Sequence, residues 1–176
     1  MPTHVELVLG ESGRAAIQSL HALVYPPETM KLWLGRDVTW APATKRVLVR
    51  ADDGTVVCHA GVHVRDAEWD GLPVRIGGIG ELMTHPDHRR QGHARAVLTR
   101  ALAALRDEAK VAYALLFCEP ELVMFYVNLG WRRFTGEVIV QQPGGPAPFA
   151  KFLAMTLGVR QPAATLGRLD LRGLPW

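Results

Sequence analysis

A chain of 176 residues with 48% hydrophobic and 21% charged side chains is long and apolar enough to fold around its own core. No apolar run approaches about 18 residues, so we expect no membrane span. The N-terminus lacks a charged segment followed by an apolar one, so we expect a cytoplasmic protein. The net charge of +3 is spread along the chain without a nucleic-acid-binding module, so we expect no nucleic-acid partner.

Cysteine and histidine usage argues against a structural metal. Cys58 and Cys118 lie in apolar segments, and the sequence favours two buried free thiols over a disulfide. Among seven histidines, no pair has the context of metal ligands, although His59 and His63 share one face of a predicted strand. We therefore expect no metal site.

The N-terminal half reads as a strand, two helices and a three-stranded meander. Apolar residues at helical spacing predict a helix over 14–25, and the proline pair at 26–27 ends it. Asp53-Gly54 and Asp70-Gly71 predict turns between antiparallel strands. The predicted elements are a strand at 5–9, helices at 14–25 and 28–34, and strands at 46–51, 55–65 and 72–83.

The C-terminal half continues with a turn, two helices and three more strands. Apolar residues with a period near 3.6 predict a helix from Ala94 to Leu105, and the apolar run ending at Cys118 predicts a buried strand. Gly130 is typical of a helix C-cap. The predicted elements are helices at 94–105 and 120–129, strands at 111–118, 131–141 and 151–157, and a turn-rich tail at 158–176.

One stretch, Gly77 to Leu98, joins the meander to the next helix through a glycine-containing turn. The first amides of a helix have no intrahelical partner, and the helix dipole favours anions there. Arg89, Arg90 and Gly92 stand where a diphosphate would lie. The turn therefore predicts a phosphorylated ligand.

This order of strand, phosphate turn, helix, buried strand, helix and strand resembles the GNAT superfamily of N-acetyltransferases. The run Arg89-Arg-Gln-Gly-His-Ala94 matches that family's Arg/Gln-x-x-Gly-x-Gly/Ala signature for acetyl-CoA, and Tyr126-Val-Asn-Leu-Gly-Trp131 matches its Tyr-x-x-x-Gly-aromatic motif. The resemblance covers about residues 5–157. It implies one α/β (α+β) domain over 1–176, with a mixed, mostly antiparallel sheet of about six to seven strands and about four flanking helices.

The resemblance also implies a donor site for acetyl-CoA, from which the acetyl group passes directly to an amine in a ternary complex. The glycines at 77, 78 and 80, unusual within a strand, would seat the thioester where two strands splay apart. The implied donor residues are Leu82, Met83 and Thr84 for the pantetheine arm, and Arg89, Arg90, Gln91, Gly92, His93 and Ala94 for the diphosphate.

Two side chains are candidates for proton transfer. Glu81, on the strand beside the thioester, either accepts the proton of the amine or forms a surface ion pair. Tyr126 matches the family tyrosine that protonates the leaving thiolate, and its alternative role is that of a core tyrosine. Glu119 and Leu122 depart from the Asn and Ala common in the family.

Within the superfamily the chain resembles the aminoglycoside 2'-N-acetyltransferases, which confer antibiotic resistance, through its tryptophan-rich early segment and its final Trp. In that subgroup a C-terminal Trp and its carboxylate help to form the acceptor pocket, so the base is Glu81, the Trp176 carboxylate or a water chain. A polycationic acceptor needs carboxylates, for which Asp170 is a further candidate. The implied acceptor residues are Glu28, Trp33, Asp37, Glu81 and Trp176.

Other identities stay open. The acceptor is an aminoglycoside, another small amine or a peptide N-terminus, and the alternative from another class is an acyl-CoA-binding sensor without turnover. Trp176 either lines the acceptor pocket or only anchors the tail. The sequence does not define the oligomeric state; a homodimer is common among relatives and is one alternative.

Overall fold

A long antiparallel hairpin forms the centre of the sheet. In this computed structural model, which describes residues 4–176, strands β3 (Val56–Trp69) and β4 (Leu72–Thr84) pair along most of their length. Asp70 and Gly71 connect them with φ values of +51° and +80°. These left-handed conformations are the ones that an Asp-Gly hairpin turn requires, so the predicted turn is confirmed.

The other elements follow the predicted order, with additional short strands. The remaining strands are β1 (His4–Leu9), β2 (Lys45–Arg50), β5 (Tyr113–Cys118), β6 (Arg132–Phe134), β7 (Glu137–Gln142), β8 (Gly145–Pro148), β9 (Leu153–Gly158) and β10 (Arg168–Asp170). The helices are α1 (Gly10–Ala16), α2 (Gln18–Val24), α3 (Pro27–Leu32), α4 (His93–Asp107) and α5 (Val123–Val127), with 3₁₀ turns at Pro86–His88 and Pro120–Leu122.

The strands form one mixed sheet. Its order is β6-β9-β5-β4-β3-β10-β7-β8, and β2 and then β1 add to β3. The pairs β4–β5 and β10–β7 are parallel, and the others are antiparallel. The predicted fold class, a mixed and mostly antiparallel sheet flanked by helices, is confirmed. Residues 4–176 contribute ten strands, more than the six to seven predicted. The prediction was too low because β6, β8 and β10 are too short to give a periodic signal.

Helix α4 covers one face of the sheet with the apolar stripe that its sequence predicts. Its buried side chains include Val97, Leu98 and Leu105, which pack among residues of the central strands. Leu105 lies over Gly77, where a Cβ would come within 2.5 Å of the leucine Cδ2. None of the helices in residues 4–176 is both long enough and apolar enough to cross a bilayer.

Two predicted elements are each divided in the structure. The helix predicted at 14–25 is two helices, and the first begins at Gly10, whose amide donates to the Thr44 carbonyl at 3.0 Å. The strand predicted at 131–141 is divided into β6 and β7 near Gly136, where a Cβ would lie 2.1 Å from the Gly167 oxygen. The start of the first helix and the break between the two strands therefore both involve contacts with distant chain segments.

The C-terminal segment is part of the sheet and of the core. Strand β10 inserts between β3 and β7. Beyond it, Trp176 is only 5% exposed, and its indole Nε1 donates to the Leu115 carbonyl at 3.2 Å. The indole lies directly over Gly78, where a Cβ would be 2.0 Å from its Cε2. Gly78 therefore leaves room for the chain's own tryptophan.

We predict that Gly78→Ala destabilises the fold by about 2 kcal/mol, because overpacking a filled core strains it by this order. The hydrogen bond to Leu115 and the stacking on His63 prevent the indole from moving aside without loss. Urea unfolding measures the change. In the control Gly144→Ala, the added Cβ meets nothing within 4 Å, and the change should stay within about 0.5 kcal/mol. Equal effects would contradict this packing.

Candidate active site

A slot opens where β4 and β5 diverge. Their parallel pairing ends at Ile79 and Leu116. Immediately afterwards β4 carries a bulge at Glu81, which has a φ of +50°, and the β3–β4 register shifts at the same point. A bulge bends its strand and ends regular pairing, so this one separates the two strands.

A cavity of about 400 Å³ lies at the slot between these strands and the early helices. Its walls come from α2, α3, the following loop, the central strands, α5 and the C-terminal residue. The lining residues are His21, Tyr25, Thr29, Met30, Trp33, Trp40, Ala41, His63, Gly80, Glu81, Leu82, Phe117, Cys118, Glu119, Leu122, Tyr126, Phe152 and Trp176.

A buried guanidinium holds the bulge in place. Arg46 of β2 is 5% exposed, and its Nη1 lies 2.5 Å from Glu81 Oε2 and 3.0 Å from His59 Nε2. Its Nε donates to the Gly10 carbonyl at 3.1 Å. Buried charges persist where partners and hydrogen bonds compensate for lost hydration. Glu81 thus forms an ion pair, the alternative role predicted for it from the sequence, and it also lines the cavity.

His59 acts as a neutral link in this network. Because Arg46 can only donate, His59 Nε2 must accept, and the proton resides on Nδ1. Nδ1 then donates to the Glu81 carbonyl at 2.9 Å and fixes the backbone of the bulge. Burial lowers the pKa of His59 to about 4, in agreement with a neutral ring.

His63 lies on the cavity floor beside Trp176. The two rings stack with centroids 5.5 Å apart, and the Arg65 guanidinium lies 5.1 Å from the indole centroid. His63 Nε2 is buried and makes no hydrogen bond within residues 4–176, and it would be 3.4 Å from a Cβ on Gly80. An unsatisfied buried nitrogen at a cavity wall can serve a ligand or a water.

Tyr126 combines its two predicted readings. Its side chain is 5% exposed and packs edge-on against Trp131, yet it also lines the cavity. Burial raises its pKa, so the phenol stays protonated at neutral pH and can donate a proton. Burial likewise raises the pKa of the neighbouring Cys118 thiol to about 11. Cys58 and Cys118 are buried free thiols, as predicted.

The start of α4 offers unpaired amides. Gly92, at the N-cap, has a φ of +83°, and no side chain caps the first turn. The Ala96 amide makes the first helical bond, to the Gly92 carbonyl, so the preceding amides of the turn have no intrahelical partner. Arg89 and Arg90 are exposed beside them and form no ion pair in the described chain. This geometry suits an anion.

The structure brings together only part of the predicted acceptor site. Trp33, Glu81 and Trp176 line the cavity, whereas Glu28 and Asp37 do not. Asp37 instead forms an ion pair with Lys151 on the surface. Asp170 accepts from the Arg172 amide at 2.8 Å, within the turn that follows β10.

The predicted donor residues are distributed along β4 and the turn. Leu82 lines the cavity, and the Met83 side chain is buried in the core beneath it. Thr84 ends β4 beside Cys58, with its hydroxyl 3.3 Å from the thiol sulfur. Within residues 4–176, no three His, Cys, Asp or Glu side chains are grouped as metal ligands would be.

Several lining residues were not among the site residues predicted from the sequence. His63, Tyr25 and Phe152 come from three distant segments, so only the fold brings them together. Two signals were available. A histidine within an apolar strand and the departure at Glu119 both stood out, although neither indicates a cavity by itself.

The family comparison agrees with this architecture. The profile described as an acetyltransferase (GNAT) domain matches residues 12–134, which is more than half of the chain. The chain belongs to the GNAT acetyltransferase family. This GNAT protein has no match among curated proteins in a sequence comparison.

Solved structures share the GNAT fold at low sequence identity. The GNAT N-acetyltransferase YhbS of Escherichia coli, in complex with CoA, is 16% identical with a TM-score of 0.62, over 97% of this chain and 89% of that one. A GNAT acetyltransferase of Brucella melitensis, in complex with acetyl-CoA, is 16% identical with a TM-score of 0.57, over 94% of both. The ribosomal-protein-S18-alanine N-acetyltransferase of Escherichia coli is 17% identical with a TM-score of 0.58, over 93% and 97%.

Because His59 and His63 are buried, we predict that the fold becomes less stable as the pH falls. Burial lowers the pKa of His59 to about 4 and of His63 to about 3, whereas in an unfolded chain both titrate near about 6.5. The unfolded chain therefore binds more protons below this pH, and the folded GNAT domain loses stability as pH falls. Each histidine contributes at most about 1.4 kcal/mol per pH unit.

Urea unfolding between about pH 7 and about pH 5 measures this dependence. In His63→Gln, the change in unfolding free energy per pH unit should correspond to the uptake of up to one proton fewer on unfolding. The exposed control His4→Gln should keep the wild-type pH dependence. A wild-type slope in His63→Gln would contradict the assignment.

Proposed function

We propose that this GNAT protein transfers an acetyl group from acetyl-CoA directly to a primary amine of a small molecule. One observation carries the proposal. Strands β4 and β5 diverge at a cavity lined by both Glu81 and the protonated Tyr126, and the turn that follows β4 leads directly into the uncapped start of α4. An acyl transferase needs these parts: an anion site, an acyl slot and groups for proton transfer.

The residues present fit the donor. The amides and arginines from Arg89 to Ala94 would hold the diphosphate, since the turn is uncapped and open around Gly92. Backbone groups from Leu82 to Thr84, beside the diverging strand, would pair with the pantetheine arm. Acetyl-CoA supplies an activated acyl group, and the protein supplies position and proton transfer.

Proton transfer would involve the two candidate side chains. An amine attacks only when neutral, and Glu81, with one oxygen bound to Arg46 and the other available, would accept its proton directly or through water. The new C–N bond forms as the C–S bond breaks, and the electron pair leaves with sulfur. Tyr126 would donate its phenolic proton to that thiolate and later regain one from solvent.

The identity of the acceptor is a further step. The proposed candidates are an aminoglycoside, another small amine and a peptide N-terminus. Trp33, Glu81 and Trp176 at the cavity support an amine acceptor with contacts from the early loop and the C-terminal segment. A homodimer stays one alternative for the oligomeric state.

We predict that acetyl-CoA stabilises the protein and that a panel of amines elicits thiol release. A ligand at about one hundred times its Kd adds about 2.7 kcal/mol of stability by mass action, which a thermal shift detects. Binding without thiol release for any amine would identify a sensor. Absence of both would exclude the proposed function.

We predict that Tyr126→Phe lowers kcat by about 100-fold or more, because general acid catalysis contributes at least this order. The Kd of acetyl-CoA should stay within about two-fold, since the lost hydroxyl acts in the transition state. Thiol release and calorimetry measure the two constants. The control is Tyr113→Phe, because the Tyr113 hydroxyl bonds Gln161 outside this cavity. Full activity in Tyr126→Phe would exclude Tyr126 as the acid.

A further inference from the structure

One wall of the cavity is a cluster of aromatic rings, here called the aromatic wall: Tyr25, Trp33, Trp40 and Phe152. Trp33 and Trp40 stack with centroids 5.5 Å apart, and Phe152 lies 5.8 Å and 5.7 Å from them. Tyr25 extends the wall at 6.4 Å from Trp33. The wall joins the ends of α2 and α3, the loop that follows and the bend before β9, so a large apolar surface faces the slot.

The charged side chains of this cavity are all acidic. Glu81 and Glu119 line it, and no lysine or arginine of the described chain does. His63, on the floor, is neutral because burial lowers its pKa to about 3. The pKa of Tyr25 is raised by burial and also by the charges of Glu119 and Glu81, so both carboxylates act on the aromatic wall. These two carboxylates, one of them already paired with Arg46, would compensate for the charge of a single ammonium group.

The carboxylates that a polycation would need lie elsewhere. Asp37 forms an ion pair with Lys151, and Asp170 is bound within its own turn. Of the two carboxylates that line the cavity, Glu81 is already paired with Arg46, so several ammonium groups would outnumber the available counter-charges, which is costly. A body without charge would gain by burying apolar surface against the same rings.

We propose that the acceptor is a small monoamine with an apolar body, either an aromatic ring or a short hydrocarbon. Its amino group lies near Glu81 and Glu119, and its body packs on the aromatic wall. This assignment rests on the proposed function and narrows its acceptor class. A cavity of about 400 Å³ is near the lower end of small-molecule sites, in agreement with a compact acceptor.

A thiol-release assay with saturating acetyl-CoA tests the acceptor class. The probes are 2-phenylethylamine, ethanolamine as a small amine with a polar body, spermidine and the aminoglycoside kanamycin. We expect kcat/KM for 2-phenylethylamine to exceed each of the others at least about ten-fold, a preference that one apolar contact surface can supply.

The possible failures differ from one another. A higher kcat/KM for kanamycin, spermidine or ethanolamine would overturn the monoamine assignment and leave the proposed function intact. No thiol release with any amine would overturn both.

Variants of the aromatic wall test the contact itself. Trp33→Ala should raise KM for 2-phenylethylamine about ten-fold or more, and change KM for ethanolamine less than about two-fold. Trp33→Phe, which keeps an aromatic ring, should recover most of the loss and guards against misfolding of the alanine variant. The control is Leu32→Ala on the neighbouring position, whose side chain is 83% exposed and outside the cavity. Equal KM changes for both amines in Trp33→Ala would overturn the assignment.

Glu119→Gln tests the cationic end of the site. The variant should raise KM for 2-phenylethylamine and ethanolamine alike, since the amino group is common to both. A KM unchanged for both amines would show that Glu119 takes no part in binding them.

Discussion

The buried guanidinium of Arg46 is the constraint on which the site depends. Arg46 lies in β2 and is only 5% exposed, so its charge must find partners within the protein. Those partners are Glu81, His59 and the carbonyl of Gly10. Since His59 also binds the Glu81 carbonyl, one network fixes both the side chain and the backbone of the bulge. The slot opens where this network holds β4 out of register.

The C-terminal segment completes the site from the other side. Strand β10 ties the segment into the sheet, and Trp176 then fills the space over Gly78 and stacks on His63. The two alternatives for this tryptophan are therefore compatible, because it is a core residue whose edge lines the cavity. The same contact explains why glycine is needed within β4, although the sequence alone suggested an approaching ligand.

Local signals predicted the fold and the glycine-containing turn before α4, and tertiary contacts determined the rest. The turn at Asp70-Gly71, the stripe of α4 and the motif ending at Ala94 depend on spacing within a few residues, so the sequence revealed them. Strand β10 has three residues and forms only beside β3 and β7. The burial of Arg46 and the pairing of Asp37 with Lys151 likewise depend on distant partners. Glu28 and Asp37, which the sequence suggested as acceptor residues because of their charge, therefore lie outside the cavity.

The groups proposed to hold the two substrates differ in charge. At the start of α4, helix amides and the exposed arginines 89 and 90 create a positive end that suits a phosphorylated donor. Around the bulge, Glu81 and Glu119 create a negative end that suits an amine. The two reactants of the proposed transfer would therefore be held by groups of opposite charge. The aromatic wall lies at the negative end, where burial of an apolar body, rather than additional charge, would select among amines.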